Sequence, residues 1–239
     1  MNPIETIDAR LRDWSLGLEA EEKDWPALIP RTTLRLAGYY ESFPHLLMTA
    51  AANERPGWPV EHLAATDYDL SPAVCYHAYA SLHRHTLTDP EGGIVLAARG
   101  RCFRREDPAT LMPGRRQIEF QMRELIFIGA PQWIDRRLGT MRDDIGRLAR
   151  ELGIEGGWEE ATDPFFLPQT KSRAKAALQR LLKTKIEFTL ADGLSIASIN
   201  RHRDFFGGRF QISLTDGKPA HSACVAFGLE RWVTASSLR

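Results

Sequence analysis

The sequence predicts an α+β fold, an antiparallel β-sheet flanked by helices, and three observations carry that prediction. Asp192-Gly193 and Asp216-Gly217 each separate two alternating apolar runs: IEFTL (186–190) from LSIASIN (194–200), and FQISL (210–214) from AHSACVAF (220–227). Asp-Gly supplies the φ > 0 that a tight hairpin needs, and strands joined that way run antiparallel. A third pair, GGIVLAARGRCFRRE (92–106) and RQIEFQMRELIFIG (116–129), is rich in β-formers and joined by the loop DPATLMPGRR. Helical periodicity elsewhere supplies the flanking layers.

In chain order, Ile4, Ile7, Leu11, Trp14 and Leu18 recur at helical spacing, which predicts an amphipathic helix over residues 3–22. Residues 25–40 hold Pro26 and Pro30 and then a short helical pattern, followed by SFPHLL (42–47) and a loop with RPGWP (55–59). Residues 74–85 read as a short helix before the first long strand. Two amphipathic helices are expected near 132–152 and 169–184, connected through TDPFF (162–166). The organisation is an N-terminal helix over 1–24 and one main domain over 25–239. Internal repeats and low-complexity segments are absent from the sequence.

Composition narrows the function classes. With 43% hydrophobic residues in 239, the chain can bury a sizeable core. Lys plus Arg and Asp plus Glu each total 31, for a formal net charge of zero. Proteins that grip a long phosphate backbone draw affinity from an excess of basic groups, so this balance argues against a tRNA partner. Cys75, Cys102 and Cys224 are odd in number and widely spaced, which fits reduced thiols or metal ligands better than a disulfide framework. No signal-peptide core and no apolar run of bilayer-spanning length is present, so a cytoplasmic protein with no membrane partner is expected.

The chemistry begins at Glu124. Strand alternation places Ile118, Phe120, Met122, Glu124, Ile126 and Ile128 on one face, which sets a carboxylate among apolar neighbours. An unpaired buried carboxylate costs several kcal/mol or is driven neutral, so a cation is expected beside it. From the strand alone, that cation is either an Arg or Lys partner or a metal ion.

Here the sequence resembles the class II aminoacyl-tRNA synthetase core, in its seryl branch. CFRRE (102–106) is similar to the Phe-Arg-x-Glu opening of motif 2, RQIEFQMRE (116–124) to its returning strand, and CVAFGLERW (224–232) to motif 3. The resemblance covers about residues 25 to 235 and implies a class II synthetase-like catalytic domain that binds ATP. It assigns Arg104 to the α-phosphate, Glu106 to the adenine amino group, Phe120 to stacking on adenine and Arg231 to the γ-phosphate end. Adenylation needs those types: charge builds on phosphate oxygens while the attacking carboxylate is already an anion, so fixed positive charge and positioning replace a general base.

A narrower likeness runs through SFPHLL, VCYHAY (74–79), FRRED (103–107), ATDPFF (161–166), SINRHRDFFGGRF (198–210) and ACVAFGLER (223–231). Together they resemble amino acid–carrier protein ligases, homologues of the methanogen-type seryl-tRNA synthetase. The resemblance implies activation of a glycine- or alanine-like amino acid, transfer to the phosphopantetheine thiol of an acidic carrier protein, and a homodimer paired through residues 25–40. It also implies Zn²⁺ on Cys75, Glu124 and Cys224, with a fourth position open for the substrate amino group. Cys102 matches no ligand position. Lys171, Arg173, Lys175 and Arg180 fall where such ligases place a carrier-docking helix. Ser198 and Asn200 fall in the ATP and Mg²⁺ segment, yet GLSIASIN (193–200) offers no carboxylate for Mg²⁺. Two other readings stay open: a weakened synthetase paralogue with a regulatory role, and a minimal aminoacyl-tRNA synthetase.

Overall fold

Apolar alternation and glycine turns organise most of the chain into one large sheet. The computed structural model describes residues 2–53, 55, 57, 62–163, 171 and 184–236. The chain opens with helix α1 (Pro3–Leu16), capped by the Asn2 side chain, which accepts from the Ile4 N–H at 3.1 Å. It is shorter than the periodicity predicts. Residues Glu21–Lys23 leave the helix as strand β1, which pairs parallel to a later strand at the edge of the main sheet. A small second sheet follows, built from β2 (Leu28–Pro30), β3 (Thr49–Asn53) and β4 (Leu63–Leu70) in the order β2-β4-β3. Helices α2 (Arg31–Leu36) and α3 (Tyr39–Ser42) connect its first two strands.

Helix α4 (Cys75–Ser81) then leads into β5 (Gly93–Phe103) and β6 (Glu119–Gly129), the longest pair, with Ala98 opposite Glu124. Next come α5 (Pro131–Gly139), α6 (Met141–Glu151), β7 (Gly157–Glu160), β8 (Lys185–Thr189), β9 (Ser195–Arg203), α7 (Phe205–Phe210), β10 (His221–Gly228) and α8 (Leu229–Ala235). The main sheet has the order β1-β5-β6-β10-β9-β8-β7. Every pairing in it is antiparallel except β1 with β5. Gly193 (φ 82°) and Gly217 (φ 80°) occupy the left-handed conformations that the Asp-Gly turns require.

Two expectations change, and a third lies on residues not described. The single helix over 132–152 is two, α5 and α6, parted at Gly139 and Thr140, both weak helix formers. FQISL is no sheet strand: Phe206 and Phe210 lie one helical turn apart in α7 and bury against Tyr79, while Ser213 makes only isolated bridges to Thr86 and Pro219. The helix near 169–184 lies outside the described residues, apart from an exposed Lys171.

The two faces of the sheet have different tasks. Arg123, Leu125 and Phe127 of β6 and Val225 and Phe227 of β10 face the layer of α1, α5 and α8. Trp14 meets Phe227 edge-on at 5.7 Å, and Trp133 lies 6.3 Å from Phe127. Arg123, 2% exposed, fastens that layer. Its guanidinium donates to both oxygens of Asp8 on α1 and to Glu22 on β1, at 2.7–3.1 Å. The next residue, Glu124, points to the opposite face, where the cavity lies. No helix among the described residues is long and apolar enough to cross a membrane.

Candidate active site

Register decides which side chains meet on the cavity face. Glu124 on β6 is opposite Ala226 on β10, Ala226 opposite Ser198 on β9, and Ser198 opposite Glu187 on β8. The neighbouring row runs Ile126, Cys224, Asn200, Lys185. Cys224 is therefore the diagonal neighbour of Glu124, within reach across the strands. The start of α4 lies over both, so that Cys75 completes a buried group whose ligand atoms lie within 4.8 Å of one another.

Glu124 is 1% exposed and pairs with no Lys or Arg among the described residues. Its oxygens accept the backbone N–H groups of Val74 at 3.0 Å and Cys75 at 3.2 Å. Burial, and then the charge of Cys224, push its carboxyl up to about 8. The Cys75 thiol is held above its ordinary range, first by the hydrogen bond it donates to Cys224 and then by burial. That same bond pulls Cys224 well below its ordinary range, with help from His202 and Asn200. Arg104 acts on Glu124 through its charge, but no salt bridge to Glu124 is formed among the described residues. Two sulfurs and a carboxylate converge, a donor set of the kind that holds Zn²⁺. Cys102 is fully buried beside Val74 and Ala98 and stands outside this group.

The rest of a cavity of about 520 Å³ is lined by Arg104, Glu106, Phe120, Ser198, Asn200 and Arg231. Arg104 donates to the Pro72 carbonyl at 3.0 Å, with its guanidinium 5.1 Å from the Phe120 ring centre. Glu106 pairs with Arg116 at 2.9 Å. Arg231, at the start of α8, donates to the carbonyls of Arg115 (2.7 Å) and Ser195 (2.8 Å), tying the loop before β6 to β9. Burial first, then the positive charges of Arg104 and Arg116, hold Arg231 below its ordinary range. Arginines whose positive charges oppose one another across one cavity make a pocket suited to a polyphosphate. Asn200 turns its amide to Ser198 Oγ (3.1 Å) and Cys224 Sγ (3.5 Å).

The cavity thus gathers the three expected metal ligands and all six expected ATP residues. Lys171 is not among its lining, and Arg173, Lys175 and Arg180 lie outside the described residues. Sequence reasoning missed Glu187, Arg116, Tyr39 and His202, which also line it. Glu187, on the neighbouring strand, places a carboxylate opposite Ser198 and pairs with Lys185 at 3.0 Å. IEFTL shows it as one acid in an apolar run, but the register that sets it beside Ser198 is not in that run.

No protein-family model matches the chain. It is 32% identical over 229 residues to amino acid–[acyl-carrier-protein] ligase 1 of Bradyrhizobium diazoefficiens, covering 88% of this chain and 69% of that protein. Ligase 2 of the same organism is 32% identical over 228 residues, covering 88% and 67%. Among solved structures, the M. kandleri SerRS, crystallised with an A. aeolicus tRNASec, superposes with a TM-score of 0.79 at 23% identity. That match covers 98% of this chain and 51% of the synthetase, so the chain spans about half its length and shares its class II synthetase fold. On the two ligases, the chain belongs to the amino acid–[acyl-carrier-protein] ligase family.

Proposed function

We propose that this chain activates a small amino acid with ATP as an aminoacyl-adenylate and passes the acyl group to the phosphopantetheine thiol of a carrier protein. The observation that carries the reading is one cavity lined both by Arg104, Arg116 and Arg231 and by the Cys75–Glu124–Cys224 group. In the first step, a substrate carboxylate oxygen bonds to the α-phosphorus and pyrophosphate leaves. In the second, the carrier's sulfur attacks the acyl carbon, its proton goes to solvent, and AMP leaves.

Arg104 offsets charge on the α-phosphate, and Arg231 with Arg116 faces the outer phosphates. Phe120 stacks on the adenine and Glu106 accepts from its amino group once Arg116 turns to phosphate. Cys75, Glu124 and Cys224 would hold Zn²⁺, which when bound offers a Lewis-acidic position for the substrate amino group. Glu187 and Ser198 would hold Mg²⁺. Tyr76, His202 and Phe206 line the cavity near Cys224, which supports a glycine- or alanine-like side chain. A carboxylate opposite Ser198 supports this reading over that of a weakened paralogue. Its zero net charge supports a carrier protein over tRNA as acceptor.

The homodimer through residues 25–40 belongs to the same reading and fails if light scattering gives a monomer mass. The deciding experiment is amino acid–dependent ATP–pyrophosphate exchange, followed by transfer of labelled amino acid to holo carrier or to tRNA. Absence of exchange with every amino acid, or transfer to tRNA alone, refutes the proposal. Charge reversal at Lys171 and Arg173 should slow transfer to carrier and leave exchange unchanged, because rim charges set association rates.

A further inference from the structure

Behind Cys224 lies a chain of side chains to which the metal group above assigns no role. Tyr79 on α4, fully buried, sets its hydroxyl 3.1 Å from His202 Nδ1. The other ring nitrogen, Nε2, faces Cys224 Sγ at 3.8 Å. The backbone is shaped to make this contact. Along β10, Ser222 pairs with Arg203 but Ala223 pairs with Arg201, so His202 is the extra residue of a β-bulge. Bulges next to active sites re-aim one side chain. Arg203, which follows, has φ 54°, a left-handed conformation uncommon outside glycine. Phe206 then fixes the ring plane: it stacks on Tyr79 at 4.2 Å and meets His202 edge-on at 4.8 Å.

Proton positions follow from the ends of the chain. A metal-ligating cysteine is a thiolate and can only accept. Nε2–H donating to sulfur while Nδ1 accepts from the Tyr79 hydroxyl is the neutral tautomer that satisfies both contacts. The His202 ring nitrogen is not one of the three converging ligand atoms; it supports one of them from outside.

We propose that Tyr79 and His202 form an orienting relay that fixes Cys224 as a metal ligand, with His202 as a positioning residue. The proposal rests on the metal reading given above. Partners of this kind tune metal affinity 10- to 100-fold. The test measures Zn²⁺ affinity by chelator competition, and the sulfur-to-cobalt charge-transfer band of the Co²⁺-loaded protein, for wild type, Tyr79→Phe, His202→Ala and His202→Gln. Zn²⁺ affinity should fall roughly tenfold in Tyr79→Phe and roughly 10- to 100-fold in His202→Ala. The charge-transfer band should move to lower energy in both, because the sulfur has lost a donated N–H or its orientation. His202→Gln, whose amide can still donate, should recover part of the loss. Wild-type protein that takes up neither metal overturns the underlying metal reading. Wild-type protein that binds, with all three variants inside twofold and the band unmoved, overturns the relay alone. Should His202→Ala fail to fold, Tyr79→Phe, which removes one oxygen, and His202→Gln decide on the same criteria.

Discussion

Loading the Cys75–Glu124–Cys224 group with Zn²⁺ should release about two protons per chain at pH 7, and the count follows from the site. Each ligand must be deprotonated to bind metal. Glu124, pushed up to about 8, still carries most of a proton at pH 7. Cys75, held above its ordinary range, carries a whole one. Cys224 is held well below its ordinary range, so the two protons are counted from Glu124 and Cys75. Groups with raised values bind protons in the metal-free protein, so raising the pH favours the loaded form. Between pH 6 and 7 the apparent affinity should climb roughly 100-fold per pH unit, since each released proton contributes about a factor of ten. As pH rises through about 8 and Glu124 ionises in the metal-free protein, the slope should fall toward roughly tenfold. Glu124→Gln removes one ligand and one proton together, so its affinity should be lower and its slope between pH 6 and 7 about tenfold. Titration calorimetry in buffers of different ionisation enthalpy gives the proton count, and chelator competition at each pH gives the slope. Fewer than one proton released at pH 7, or equal slopes for wild type and Glu124→Gln, would refute the reasoning.

Arg104→Ala and Arg231→Ala should each lower pyrophosphate exchange by roughly 10²-fold, the loss typical of removing one preorganised charge stabiliser; exchange at the parent rate in both would remove them from the phosphate site. Glu187→Gln should raise the Mg²⁺ concentration needed for half-maximal exchange while leaving Zn²⁺ content unchanged, and an unmoved Mg²⁺ requirement would take Glu187 out of the site. Arg123→Ala leaves Asp8 and Glu22 without their shared partner on the sheet. It should destabilise the protein by about 3–5 kcal/mol in denaturant unfolding, as breaking a buried ion pair does. A loss below about 1 kcal/mol would mean that the layer of α1 is held by apolar packing alone.

The parts of the fold legible in the sequence are those with strong local chemistry. Asp-Gly turns force a backbone sign, and the alternation through β6 fixes a face, so both could be read from a few residues. The second sheet was not legible. β3 reads Thr-Ala-Ala-Ala-Asn and β4 carries Leu63-Ala-Ala-Thr, stretches with little contrast between faces and mostly exposed. β1 is three charged residues, Glu21–Lys23, continuous in sequence with a strong helical pattern. Its strand geometry comes from pairing with β5 and from the grip of Arg123 on Glu22, contacts about 75 and 100 residues away. FQISL alternates like a strand, yet Phe206 and Phe210 also satisfy a helical period. The aromatic bed of Tyr76 and Tyr79 selects the helix.

The site itself is a statement about register. Alternation alone could say that Glu124 needs a cation, because polarity and face are local properties. It could not say which residue answers, since Cys75 and Cys224 lie 49 and 100 positions away; the family likeness supplied them, and strand pairing explains them. Cys224 reaches Glu124 only because Ala226 pairs with Glu124 and Ile126 with Cys224. Sliding β10 by one residue would turn Cys224 toward the helical layer and present Val225 or Ala223 to the carboxylate, since side chains alternate with a period of two. The same row reaches Glu187, which the separate β8–β9 pairing sets opposite Ser198. The bulge at His202 lies in the β9–β10 pairing, two residues beyond the Cys224–Asn200 pair. It lets β9 change register there without disturbing the pairs that hold Cys224, Asn200, Ala226 and Ser198 in line. The Glu124–Cys224 diagonal and the Glu187–Ser198 pair therefore depend on the mutual alignment of β6, β10, β9 and β8.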